Sequence, residues 1–298
     1  MKQIVVISGK GGTGKTVITG AFAALAGASG VSGDSPRGGK IVLADCDVDA
    51  ADLHLLLRPR VKERREFKSG KTAVIDKEKC VRCGKCVEVC RFDAIDGDFT
   101  VDAVSCEGCA FCSFACPVGA IKMEENVSGE YFISETRFGP MVHAKLGVAE
   151  ENSGKLVSLV RQKAKELAEK NKADWVIVDG APGIGCPVIA SLSGIDCAVV
   201  VTEPTLSGLH DADRVISVVR HFGVFARLVV NKYDLNPDMT AEIERYCRDN
   251  NIDLIGKIHF DKAVVEAMVQ GKTVIEHASS TAAKEIGGIW RALREKLK

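Results

Sequence analysis

Ser8-Gly9-Lys10-Gly11-Gly12-Thr13-Gly14-Lys15-Thr16 is the stretch that decides the fold. It follows the apolar run Ile4 to Ile7 and precedes Val17 to Ala28, which is rich in alanine and aliphatic residues, so it reads as strand, glycine loop, helix. Glycines in such a loop let successive backbone N–H groups turn inward, and the helix beginning near Lys15 directs its positive dipole end at the same point. Gly9, Gly11, Gly12, Thr13 and Gly14 are then expected to wrap a chain of phosphates, with Lys15 reaching the outer ones and Thr16 offering its hydroxyl to Mg²⁺.

A second lysine, Lys10, is not needed for that wrapping. With it, Lys10-Gly11-Gly12-Thr13-Gly14-Lys15-Thr16 resembles the deviant Walker A loop of the MinD/ParA family of ATPases, to which the nitrogenase iron protein also belongs. The resemblance implies that Lys10 reaches across a dimer interface to the partner's nucleotide. It therefore implies an ATP-dependent dimer, made of two copies or of one copy and a related ATPase.

Further along, Ile41-Val42-Leu43-Ala44-Asp45 reads as a short buried strand ending in an acid, followed by Cys46-Asp47-Val48-Asp49. A phosphate loop and then acids at the next strand end is the order of a Mg-nucleotide site at the carboxyl ends of parallel strands; capping of the following helix is the plainer role for these acids. By the resemblance, Asp47 positions or activates the attacking water and Asp45 supports it. Trp175 to Asp179 is another buried strand, and Asp179 takes the Walker B place. Gly180-Ala181-Pro182-Gly183 follows as a second switch, in which a backbone N–H near Gly183 senses the γ-phosphate.

Two more apolar runs, Ala198 to Val201 and Leu228 to Val230, lead into Thr202-Glu203-Pro204 and Asn231-Lys232-Tyr233-Asp234. The latter matches the N-K-x-D sequence with which GTPases grip guanine. The Lys10 loop resembles the ATP-using branch instead, where the asparagine at this strand end contacts adenine, so ATP with Mg²⁺ is the expected nucleotide and Asn231 its base contact.

Of 12 cysteines, eight fall between Cys80 and Cys116 in two runs of C-x2-C-x2-C-x3-C: Cys80, Cys83, Cys86 and Cys90, then Cys106, Cys109, Cys112 and Cys116. Neighbours repeat at the same offset of 26, with Ile75-Asp76 answered by Val101-Asp102 and Ala94-Ile95 by Ala120-Ile121. Structural zinc needs only two cysteine pairs, whereas three thiolates at this spacing hold three corners of a cubane. The block resembles a bacterial ferredoxin with two [4Fe–4S] clusters. That resemblance implies crossed ligation, one cluster on Cys80, Cys83, Cys86 and Cys116, the other on Cys106, Cys109, Cys112 and Cys90. Arg91 stands where proline would follow the first run, a cation expected to ease reduction nearby. Asp96-Gly97-Asp98 reads as the turn of a small hairpin between the runs.

Residues 58–74 carry charges of both signs and read as a solvated connector. Glu130 to Val142 reads as strand, Leu156 to Ala168 as an amphipathic helix, and Thr281 to Lys298 as a second one that packs on the sheet rather than on a membrane. Cys186 follows Asp179 by seven residues, an offset resembling that of one bridging-cluster cysteine of the nitrogenase iron protein. Residues 147–154 supply no second cysteine, so Cys186 reads as a small buried residue, and Cys46, Cys197 and Cys247 as core thiols.

With 298 residues, 46% of them hydrophobic, the chain can bury a full core, and its 40 basic residues balance 40 acidic ones, which gives no pull toward nucleic acid or an anionic membrane. No apolar run has signal-peptide or spanning length, and the expected setting is cytoplasmic. The expected fold is α/β, a doubly wound and mostly parallel sheet formed by residues 1–70 and 125–298, with a small α+β two-cluster ferredoxin domain inserted at 71–124. The expected function is Mg-dependent ATP hydrolysis that gates electron transfer to a partner metalloprotein. A carrier or assembly factor for metalloclusters, or a ferredoxin regulated by a non-hydrolysing nucleotide domain, would use the same parts.

Overall fold

The computed structural model describes residues 1–27, 39–147, 152–277 and 279–297. The loop expected from Gly30 to Lys40 and the end of the first helix at Ala28 lie largely outside the described residues. The chain forms two compact units, one of residues 1–64, 131–145 and 153–298, the other of residues 65–130 and 146–152.

In chain order the elements are β1 (Lys2–Ser8), α1 (Lys15–Gly27), β2 (Ile41–Asp45), α2 (Leu53–Leu57), β3 (Arg60–Ile75), α3 (Lys85–Val89), α4 (Phe111–Ala115), β4 (Ile121–Glu135), β5 (Pro140–Leu146) and α5 (Ser153–Asn171). There follow β6 (Trp175–Pro182), α6 (Cys186–Ser191), β7 (Cys197–Thr202), α7 (Leu206–His221), β8 (Phe225–Asn231), α8 (Pro237–Asp249), β9 (Asp253–Ile258), α9 (Lys262–Val269), α10 (Val274–His277) and α11 (Thr281–Lys296). The strand order is β3-β4-β5-β2-β6-β1-β7-β8-β9. From β5 through β9 neighbouring strands run parallel. Ile4 to Ile7 are wholly buried because a central parallel strand is covered on both faces, so an unbroken apolar run is what the position demands.

One face of this sheet is covered by α1, α2 and α11, whose Phe22, Leu53, Leu57, Ile286, Trp290 and Leu293 share a core with the strands. Phe22 and Trp290 meet at 5.1 Å between ring centroids, a favourable tilted contact. The final amphipathic helix thus spends its apolar stripe on the sheet. No helix among the described residues is long and apolar enough to cross a membrane.

Most of the strip 58–74 belongs to the 16-residue strand β3, Arg60–Ile75, and is not a connector. Only Phe67, Ala73 and Ile75 of β3 are buried. With so few inward positions there is no period-two apolar signal for sequence reading to find. Likewise Glu130 to Val142 is not one strand but the end of β4 and the start of β5, parted by a turn in which Thr136 and Gly139 exchange backbone hydrogen bonds.

Inside the second unit the 26-residue repeat is structural. Asp76 N–H donates to the Ala120 carbonyl at 2.8 Å, and Asp102 N–H to the Ala94 carbonyl at 2.8 Å. Left-handed backbone recurs in matched pairs: Arg82 with Gly108, Gly84 with Ala110, Asp93 with Gly119. Helices α3 and α4 start at equivalent places, immediately after Gly84 and Ala110. The expected hairpin is present as an Ile95–Val101 bridge, its left-handed residue being Phe99.

Candidate functional site

The phosphate loop lies between β1 and α1, and its lysine is the first residue of that helix. Lys15 Nζ is bonded to Asp47 Oδ2 at 2.7 Å, with both side chains 9% exposed. Next to them, Asp45 and Asp179 are register partners on β2 and β6, and neither has any exposure. Burial, and then each other's charge, raises the Asp45 carboxyl well above its usual range. Burial raises Asp179 too, against the pull of Lys15, Thr16 and Thr19. Burial also works against the Lys15 charge, but Asp179 and Asp47 outweigh it and the ammonium is strengthened. Asp45 Oδ1 accepts the Asp47 N–H at 3.1 Å and so fixes the turn that presents Asp47.

Two buried oxygens here have no partner among the described residues, Asp179 Oδ2 and Thr13 Oγ1. Unpaired buried oxygens beside a phosphate loop are costly unless a ligand satisfies them, and an acid oxygen beside the Thr16 hydroxyl suits a hard cation. Gly14, at φ +92°, has no room for a Cβ, which would run into Asn231 Nδ2. That nitrogen donates to the Thr13 carbonyl at 2.8 Å, tying the end of β8 to the loop.

In the second unit the eight cysteines of the two runs surround two cavities. One is lined by Cys80, Cys83, Cys86 and Cys116. The other is lined by Cys90, Cys106, Cys109 and Cys112. Each cage therefore draws three cysteines from one run and the fourth from the other. No group of three or more His, Cys, Asp or Glu among the described residues is arranged to hold a single metal ion. Each set of four cysteines lines a space. At Cys116 burial pushes the thiol up, but backbone N–H groups of residues 118–121 overcome it and pull it down; the Ala120 N–H lies 3.3 Å from the sulfur. Arg91 is not among the residues lining either cavity, whereas Arg82 and Lys85 line the first.

The profile of the CobQ/CobB/MinD/ParA nucleotide-binding domain matches residues 4–274. The chain belongs to this family. A protein of Methanocaldococcus jannaschii, the uncharacterised MJ0578, is 37% identical over 234 residues, which is 78% of this chain and 79% of that one. Pyruvate synthase subunit PorD of Methanothermobacter marburgensis is 38% identical over 71 residues, 22% of this chain but 88% of PorD. The crystal structure of the Pyrococcus furiosus cell division ATPase MinD superposes with a TM-score of 0.59 at 21% identity, covering 100% of this chain and 99% of that one, a likeness of fold.

As a MinD/ParA-type protein, the chain holds its signature lysine at home. Lys10 Nζ lies 3.3 Å from Ser207 Oγ, 3.5 Å from Thr205 Oγ1 and 3.8 Å from Glu203 Oε2, at the N-terminus of α7. A cation is unfavourable at that helix end, and Glu203 offsets the mismatch. Glu203 also binds Lys232 at 2.5 Å. The Gly183 N–H donates to the Ser8 carbonyl at 2.8 Å and is engaged with the loop. Asp234 of the N-K-x-D run accepts the Phe260 N–H at 2.7 Å, committing one carboxylate oxygen to the backbone. Cys186 is exposed at the start of α6, not buried, while Cys46, Cys197 and Cys247 are buried.

Thr19 escaped sequence reading, and Glu203, in a run that reads as a site loop at a strand end, carried no assigned role. Thr19 Oγ1 bonds both the Lys15 carbonyl and Asp179 Oδ1, each at 2.9 Å. Its place one helical turn beyond Lys15 was the available signal. The pairing of Glu203 with Lys10 had no signal, since the two are nearly two hundred positions apart.

Proposed function

We propose that the chain is a Mg-dependent ATPase whose nucleotide state governs one-electron transfer through two [4Fe–4S] clusters in the second unit, to a partner metalloprotein. The observation that carries this reading is the pair of cavities, each lined by four cysteines in the crossed arrangement. A zinc ion needs four donors converging at about 2.3 Å; thiolates spread round a space suit the corners of a cubane. The likeness to most of PorD's length adds support for a ferredoxin-type unit.

Cys80, Cys83, Cys86 and Cys116 would hold one cluster, and Cys106, Cys109, Cys112 and Cys90 the other, each supplying a one-electron store when bound. Thr16 and Asp179 would hold Mg²⁺, which neutralises charge on the phosphates. Lys15 exchanges Asp47 for the outer phosphate oxygens, and Asp47, released, orients the attacking water. Lys10 leaves Glu203 to complete the site of a second ATPase protomer. Gly183 gives up its bond to Ser8 when a γ-phosphate offers a better acceptor. ATP is preferred to GTP because Asp234 is already bonded to the Phe260 backbone.

The test is an anaerobic iron and sulfide count with EPR, repeated with Mg-ATP and with a non-hydrolysable analogue. Two cluster signals whose potential or electron delivery changes with nucleotide support the reading. Iron-free protein, or identical redox behaviour with and without nucleotide, would sink it.

A further inference from the structure

All four residues of Asn231-Lys232-Tyr233-Asp234 are held by partners outside the run. Asn231 Nδ2 ties the end of β8 to the Thr13 carbonyl of the phosphate loop at 2.8 Å, and Lys232 pairs with Glu203 at 2.5 Å. The Tyr233 hydroxyl lies 3.0 Å from His259 Nε2, and Asp234 Oδ1 accepts the Phe260 N–H at 2.7 Å. These last two contacts are successive rungs, 233 to 259 and 234 to 260, between the single 3-10 turn Tyr233–Leu235 and the residues that follow β9. Behind the rungs stands Glu285 of α11, whose carboxylate accepts the His259 N–H at 2.8 Å through one oxygen and lies 2.6 Å from His259 Nδ1 through the other. A carboxylate only accepts, so Nδ1 carries the proton, and in the neutral ring Nε2 accepts the Tyr233 O–H. The Tyr233 and His259 rings meet edge to face with centroids 4.5 Å apart, and Lys257, itself paired with Glu244 at 2.7 Å, lies 4.9 Å over the Tyr233 ring.

Guanine offers a carboxylate two adjacent donors, its N1–H and its 2-amino group, whereas adenine presents a bare N1 lone pair at the same edge. A carboxylate free to turn to the base therefore favours guanine and repels adenine, and one held on a backbone N–H does neither. We propose that Glu285, His259 and Tyr233 form a clamp that selects the purine: by fixing residue 260 against Asp234 they keep this carboxylate off the base, and so keep GTP from competing with ATP. The three are positioning residues, which act through Asp234, and the proposal rests on the ATP reading above. With the clamp intact the loop is ordered before any nucleotide arrives, so its geometry adds no cost to binding. With the clamp broken, Asp234 exchanges one backbone N–H for the two donors of guanine.

The test is calorimetric titration of the full-length protein with Mg-ATP and with Mg-GTP, beside thermal melts of each variant. Wild type is expected to bind ATP at least about tenfold more tightly than GTP. His259→Ala and Glu285→Ala are each expected to move the ratio of the two dissociation constants toward GTP by about tenfold, and Tyr233→Phe, which loses the hydroxyl and keeps the ring, by about threefold. Tyr233→Phe is the mildest change and carries the test if either alanine variant fails to fold. Asp234→Asn placed on His259→Ala should cancel the gain for GTP and raise affinity for xanthosine triphosphate instead, since xanthine has an acceptor oxygen where guanine has its 2-amino group. A clamp that merely supported the fold would lower the melting temperature and weaken both nucleotides together, and an unmoved ratio of that kind would overturn the proposal. So would a gain for GTP that survives Asp234→Asn. Wild-type protein that binds neither triphosphate, or prefers GTP, removes the ATP reading underneath; wild type that prefers ATP by a ratio unmoved in every variant removes the clamp alone.

Discussion

Lys15 Nζ and Asp47 Oδ2 close on each other at 2.7 Å in a nearly dry setting, so without nucleotide the phosphate-binding cation is already spoken for. On the proposed reading a nucleotide displaces this buried carboxylate before it uses the lysine, and the displaced Asp47 then orients the attacking water. Asp47→Asn removes the competitor but leaves the shape. It is expected to bind Mg-ATP as tightly as wild type or more so, while phosphate release falls about a hundredfold. Lys15→Ala should lose at least about tenfold in affinity. Calorimetric titration beside a phosphate-release assay separates the two effects, and equal loss of binding in both variants would contradict the exchange.

Glu203 restrains Lys10 against the unfavourable end of α7. Glu203→Gln should free the ammonium and raise ATP-dependent dimer formation several-fold in light scattering, with Lys10→Ala abolishing it. A Glu203→Gln chain that dimerises no better than wild type would show that the restraint is without effect.

Ala110 occupies left-handed backbone where its repeat partner is Gly84. Relief of that strain by Ala110→Gly is expected to stabilise the protein by about 1 kcal/mol in chemical denaturation. Gly108→Ala should do the opposite and more strongly, since its Cβ would meet the Lys71 carbonyl oxygen. Equal effects of the two changes would contradict this account of the turn.

His143 is pushed down to about 4, by burial first and then by His54, and its Nε2 lies 2.9 Å from Ser134 Oγ. Its folded value is below the unfolded one of about 6.5, so the unfolded chain binds more protons between the two. Stability from this residue is therefore full above pH 6.5 and is lost as the pH falls toward 4, by up to about 3 kcal/mol. Thermal melts of His143→Gln should show a flatter dependence than wild type across that window; parallel curves would rule the residue out.

Arg82 and Lys85 line the first cage and Glu107 the second. Cations near a cluster favour its reduced form. Potentiometric EPR should show the first cage's cluster reducing at the higher potential, and R82Q/K85Q lowering that potential alone. A common shift of both signals would place the tuning elsewhere.

Much of this was legible in the chain because the chemistry is local. Gly14 and Lys15 sit in one loop, and each cysteine run declares itself within eleven residues. The apolar cores of β1, β2 and β6 are unbroken, which marks buried parallel strands without needing partners. What stayed hidden depends on folding. β3 exposes most of its length, so its side chains carry no alternation. That Arg82 lines the first cage while Arg91 lines neither was not legible, since Arg82 sits in a left-handed turn that the cysteine spacing does not specify.

The insertion enters along β3 and returns along β4, and these strands are neighbours in the sheet, while β2 and β6 pair directly. The longer excursion, residues 65–130, thus begins and ends on adjacent stems, a shorter one follows at residues 146–152, and the strands bearing Asp45 and Asp179 are parted by neither. Evolution, or a protein engineer, can treat the first of these places as a socket: a module whose two ends lie about one strand spacing apart can replace residues 65–130, provided that the short stretch at 146–152 is exchanged with it.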